Sequence, residues 1–255
     1  MKKILLAAVV AATVLTACEK DKDKTANLYK GPEQAFHNGK SYAWIQTDKQ
    51  GNPEKLGLTI DAAAYNSLPA EGEGHNHSNS LSLKFAQNGP STLFTHVLLD
   101  WNPEGHEPEG VYDLPHFDFH FYLQSEAERQ AIPVYEQAAA KFDNHPEAGY
   151  TPDSYIAIPG GVPQMGVHWV DLNSPEMKGE DFTQTFLYGS YDGKVTFYEP
   201  MITKAFIDQN PSFERSFPLP AKFKATGYYP TKMKIRKENG SVHITLENFV
   251  LKQAS

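Results

Sequence analysis

The sequence predicts a mainly β protein, an antiparallel sandwich or barrel with one short helical insertion at about 125–142. Three observations predict it. The first is alternation, clearest at 115–123. There Phe117, Phe119, Phe121 and Leu123 alternate with His116, Asp118, His120 and Tyr122. Successive side chains of a strand point to opposite faces, so this stretch is a strand with one apolar face and one reactive face. The second is turn chemistry between such stretches, with Asp192-Gly193 and Asn239-Gly240 placed as two-residue hairpin turns. The third is the confinement of helix signals to one region. Ser125 followed by Glu128 is a capping box, and Pro133 interrupts or restarts the helix.

Taken in order, 1–17 of the 255 residues read as a signal peptide. Lys2 and Lys3 precede an apolar run at 4–15 that is too short to span a bilayer. The run ends in Leu15-Thr16-Ala17-Cys18, which resembles a bacterial lipobox. That resemblance implies that Cys18 is acylated with palmitate-type chains, becomes the mature N-terminus and anchors the protein to the membrane. In enterobacterial lipoproteins Asp at the next position favours inner-membrane retention, so Glu19 implies the outer membrane. Residues 18–30 are predicted to be a charged, flexible tether. Residues 31–255 follow as a single β-rich domain, or as two β halves meeting near 115.

Cys18 is the sole cysteine, which excludes an internal disulfide and a thiolate metal site. Any metal must be held by His, Asp, Glu or Tyr. The net charge is −8, and more negative still without Lys2 and Lys3. Scattered Lys and Arg in an acidic chain argue against a nucleic-acid partner.

Residues 41–47 and 56–60 are predicted to form a hairpin about Gly51-Asn52-Pro53, followed by one helical turn at 61–67. His75 and His77 fall in a Gly- and acid-rich stretch, expected to be an exposed loop rather than a metal site. Residues 80–86 and 92–102 are expected strands. The second places Phe94, His96, Leu98 and Asp100 on one side, and His96 among apolar neighbours reads as a core histidine. The loop at 103–115 carries His106 and Glu109, second-rank site candidates because such loops, held by a rigid sheet, tend to bear function. Residues 165–171 form a short strand with His168. Residues 183–188 and 194–199 form a hairpin, and Pro200 is expected to stop the ladder after Glu199. A buried carboxylate at that point needs a cation or hydrogen bonds. Residues 209–220 are expected to be loop, and 232–237 with 242–251 close the chain as a hairpin.

These segments bring imidazoles and carboxylates from separate strands, a donor set suited to a divalent transition metal such as Zn, Mn or Fe. Strand spacing limits the combinations. Residues four apart lie about 13 Å apart at Cα, and residues two apart about 6.6 Å. The better pairs on a regular strand are therefore His116/Asp118 or Asp118/His120, and Asp118, His120, His168 and Glu199 are the expected ligands. His116 is either a further ligand brought in by distortion or a nearby acid/base, with Tyr122 as a second proton carrier. Asp118 could equally orient an imidazole. Alternatively, the whole row is a structural hydrogen-bond network.

The runs PEGHEPEGVYDLPHFDFHFY, MGVHWVD and YGSYDGKVTFYEPMIT resemble an uncharacterised family of exported bacterial proteins, over 92–207. The resemblance implies that the three segments belong to one unit, and implies no reaction. Two function classes follow: a metal-dependent envelope enzyme, or a lipid-tethered β domain that captures a metal, a small-molecule ligand or a partner. No nucleophile elbow, Walker loop or dinucleotide fingerprint is present, which points away from serine-hydrolase, ATPase and Rossmann chemistry.

Overall fold

Phe117, Phe119 and Phe121 have no exposed surface, and both sheets are built around them. Burying each such ring contributes roughly 2–3 kcal/mol relative to leaving it in water. The computed structural model describes residues 27–70 and 79–255. In chain order the strands are β1 (Asn27–Lys30), β2 (Gln34–Phe36), β3 (Gly39–Thr47) and β4 (Pro53–Ile60). Next come β5 (Ser80–Lys84), β6 (His96–Asn102), β7 (His116–Tyr122), β8 (Tyr155–Ala157), β9 (Val167–Asp171), β10 (Gln184–Tyr191) and β11 (Lys194–Thr203). The last three are β12 (Ser212–Ser216), β13 (Gly227–Glu238) and β14 (Ser241–Lys252).

The first four and last three strands form one antiparallel sheet, in the order β1-β3-β4-β14-β13-β12 with β2 beside β3. The other seven form a second antiparallel sheet, in the order β5-β6-β7-β11-β10-β9-β8. Ile45, Leu58, Ile235 and Ile244 of the first sheet share one core with Leu99, Phe119 and Tyr198 of the second. Both sheets keep free edges, so of the two predicted architectures the protein is a sandwich.

The predicted helical insertion is present as α2 (Glu126–Gln130) and α3 (Tyr135–Phe142), parted at Pro133. Ser125 and Glu128 form the reciprocal capping box. Two further short helices, α1 (Ala62–Asn66) and α4 (Lys204–Gln209), are N-capped by Asp61 and Thr203. Asp192 and Gly193 have φ of 49° and 76°, and Asn239 and Gly240 have 50° and 81°. Consecutive positive φ values make type I′ turns, whose twist matches that of the flanking strands.

Several expectations are corrected. The tether does not extend to residue 30, because Asn27–Lys30 pairs with Trp44 to Thr47 as β1, and Tyr29 packs on the core. Residues 1–26 and 71–78 lie outside the described residues, and with them Cys18, His75 and His77. The boundary considered near 115 falls between β6 and β7, which pair along their full length. The strand expected over 92–102 begins only at His96, although Phe94 still packs into the core against Tyr198. Residues 212–216, expected to be loop, are β12, paired with β13. Pro200 does not end β11. Pairing to β10 runs straight through Leu187–Glu199 and Phe186–Pro200, and only the pairs toward β7 at these two residues drop out. A missing N–H removes bonds on one side of a strand and leaves the other neighbour to hold it. Among the described residues, no helix is long and apolar enough to cross a membrane.

Candidate metal centre

Directly opposed residues of antiparallel strands point to the same face. Across β6 and β7, Asn102 opposes His116, Asp100 opposes Asp118, Leu98 opposes His120 and His96 opposes Tyr122. On the other flank, β11 sets Met201 opposite Asp118 and Phe197 opposite Tyr122, and the same register brings Glu199 opposite His120. Beyond it, Gly189 opposes Phe197 and His168 opposes Gly189. The polar row of β7 thus lies on the outer face of the second sheet.

That face is nevertheless buried. Tyr112 from the 103–115 loop and Phe182 from the 172–183 loop lie over it and cluster with Val170, Leu187 and Met201. Met165 packs on Leu98, Tyr122 and Phe197. The imidazoles and carboxylates are held between the sheet and this thin apolar cover.

Two groups of donors form there, each with its ligand atoms within 4.8 Å of one another, and each could hold a metal ion. The first is His120, His168 and Glu199. His120 Nε2 lies 3.2 Å from Glu199 Oε1, and His168 Nε2 lies 3.6 Å from Glu199 Oε2. His120 Nδ1 faces Asp100 Oδ2 at 3.4 Å, and the other Asp100 oxygen accepts a hydrogen bond from the Ser80 hydroxyl. The Phe197 ring packs 4.9 Å from His120 and 5.2 Å from His168. It fits because it lies over Gly189, where a Cβ would come within 1.9 Å of it.

The approaches in this group are close but poorly aligned. Both His120 nitrogens, Glu199 Oε2 and Asp100 Oδ2 are buried without a hydrogen bond. Burial pushes the Glu199 carboxyl up to about 8. Burial also opposes charge on His120, but Glu199 and Asp100 outweigh it and lift the ring to about 9. Burial, and then the charge of His120, hold His168 down at about 3.

The second group is His106, His116 and Asp118, drawn from the 103–115 loop and β7. Asp118 therefore stands apart from the other three expected ligands. Asn102 Nδ2 donates to its Oδ2 at 2.8 Å, and the carboxylate faces His116 and His106 at 3.1 and 3.2 Å. Burial raises the Asp118 carboxyl, but His116 and His106 together hold it well below the usual range. Against burial, the hydrogen bond and charge of Asp118 lift His106 to about 9.

His116, expected as a further ligand or an acid/base, sits among the donors. Tyr122 has the surroundings of a packing residue. It is fully buried, its ring is stacked between those of His96 and His120, and its hydroxyl donates to the Gln164 carbonyl at 3.4 Å. Burial pushes its phenol well above the ordinary value, with the charge of Arg129 opposing. Glu109 is exposed and belongs to neither group. Asp100 and Asn102 were not among the expected site residues. Their signal was the alternation of β6, but only the register shows which strand they face.

Comparison of the chain with protein-family profiles, with curated proteins and with solved structures finds no match. Its chemistry is left to its own geometry.

Proposed function

We propose that the protein binds a divalent transition-metal ion at His120, His168 and Glu199, as a lipid-anchored domain of the bacterial cell envelope. The observation that carries the metal reading is the set of buried, unbonded polar atoms on His120, Glu199 and Asp100. Buried polar atoms are nearly always hydrogen-bonded, and an absent ion is one of the few explanations for a concentration of exceptions. Two imidazoles and one carboxylate suit Zn, Mn or Fe, and three protein ligands leave coordination positions open.

Each neighbour has a part in this reading. Asp100 orients the His120 ring from behind, as carboxylates commonly do for ligating imidazoles. Phe197 keeps water from the two rings. The His168 side chain is 19% exposed and marks the side from which a metal, or a small-molecule ligand, arrives. A metal bound there would polarise a carbonyl or activate water. The envelope reading is supported by the signal-like run at 1–17 and by the position of the sole cysteine.

The test is elemental mass spectrometry on the purified full-length protein, beside His168→Ala and Glu199→Gln. Each variant is expected to hold about one equivalent of metal less than the parent. A parent that stays metal-free after reconstitution with Zn, Mn and Fe would sink the proposal. The row would then be a structural network.

A further inference from the structure

We infer that His106, His116 and Asp118 form a second metal site, separate from the first and closed by the 103–115 loop. It extends the metal-binding reading above but stands on its own geometry. His116 Nδ1 lies 2.7 Å from the Leu114 carbonyl oxygen, and His106 Nδ1 lies 2.7 Å from the Glu107 carbonyl oxygen. A carbonyl oxygen only accepts, so both Nδ1 atoms carry hydrogen. In a neutral ring the lone pair then sits on Nε2.

Both Nε2 atoms converge on one carboxylate, His116 at 3.1 Å from Asp118 Oδ1 and His106 at 3.2 Å from Oδ2. A nitrogen of each ring and an Asp118 oxygen lie within 4.8 Å of one another, close enough for one ion. The two imidazole rings pack edge-on, with centroids 4.7 Å apart, over that single carboxylate. One divalent ion satisfies all three donors at once.

The surroundings agree. Asp118 is 5% exposed, and its Oδ1 is buried without an aligned hydrogen bond. Asn102 Nδ2 bonds Oδ2 and also lies 3.4 Å from His116 Nε2. Phe182 packs edge-on to the His116 ring at 5.3 Å and excludes water on that side. The His106 side chain is 36% exposed and offers the way in. Its loop is held in a closed form by a bridge between His106 and Tyr112. An ion here would pin that loop to β7. With nitrogen and oxygen donors and no sulfur, the site suits a divalent first-row ion such as Zn²⁺ rather than Cu(I).

The experiment strips the full-length protein with a chelator and titrates it with Zn²⁺ alone, reading stoichiometry by calorimetry and by elemental analysis after desalting. The parent is expected to take two equivalents, His106→Ala one, His168→Ala one, and the double variant none. His106 is on a loop and partly exposed, so its removal should leave the sheet intact. Asp118→Asn should agree with it, and where that buried change disturbs folding, His106→Ala decides. A His106→Ala protein that still takes as much zinc as the parent overturns the second site. Should the parent take only one equivalent, its survival in His106→Ala likewise overturns the inference. Loss of that one equivalent in His106→Ala with retention in His168→Ala upholds the inference and removes the first site instead. A parent that takes none overturns both.

Discussion

His96 lies flat on Tyr122, with ring centroids 4.7 Å apart, and its Nδ1 meets the Thr95 hydroxyl at 2.9 Å. Burial, and then the charge of Arg129, hold its pKa at about 4, with Glu126 opposing. The ordinary value is about 6.5. Between these two values the unfolded chain binds a proton that the folded chain does not. Stability from this residue is therefore intact above about pH 6.5, declines as pH falls toward 4, and is fully lost below it. The whole effect is on the order of 3 kcal/mol. Denaturant melts of metal-free parent and His96→Phe at pH 7 and at pH 4.5 should show the variant losing less stability on acidification. Equal losses would mean that the imidazole is already charged in the fold. Much of the site was legible at this scale. The spacing of about 13 Å between strand residues four apart separates His116 from His120, and they do belong to different groups. Asp118, two residues from each, can pair with either by spacing, and it lies with His116 and His106. Its choice is set by Asn102 and His106, which reach it from another strand and a loop, and local spacing carries no information about either.

The hairpin of β10 and β11 shows how a small residue in one element shapes donors in two others. Gly189 leaves room for the Phe197 ring, which in turn packs on His120 and His168. Gly189→Ala would drive a methyl group into that ring. The expected cost is about 1–3 kcal/mol of stability, as for other overpacked cores. Zinc should also bind more weakly at the His120 group, with the His106 group unaffected. Unchanged stability and unchanged zinc titration would show that the ring moves aside freely. The elements found from sequence were those whose cause is local. The Asp-Gly and Asn-Gly turns and the Ser125 capping box each need only a few adjacent residues. β12 was missed because Ser212, Glu214 and Ser216 present a polar face and only Phe213 carries an apolar signal, so β13 supplies the reason for it to be a strand. The continuation of β11 through Pro200 was missed because it depends on which neighbour lies on which side.

At the scale of the molecule, the sandwich keeps two apolar layers apart. The inner one joins the sheets, and the outer one is a thin cover over the row of imidazoles and carboxylates. The fold class was legible because alternation is repeated along the chain, whereas the cover was not, since loop residues such as Tyr112 and Phe182 have no period to betray them. The proposed anchor also belongs to the whole chain. Cys18→Ser should abolish labelling by a clickable palmitate analogue in bacterial cells and move the protein from the membrane pellet to the soluble fraction. Labelling that persists in the variant would refute Cys18 as the acylated residue. A last consequence follows from the pairing of β4 with β14. The second sheet is complete by Thr203, but β4, made early, has no permanent neighbour on one side until Ser241–Lys252 has been synthesised. Such distant pairing slows folding and leaves an open strand edge in the meantime. The first sheet is therefore the last part of the sandwich to close, and its clasp shuts only with the final hairpin.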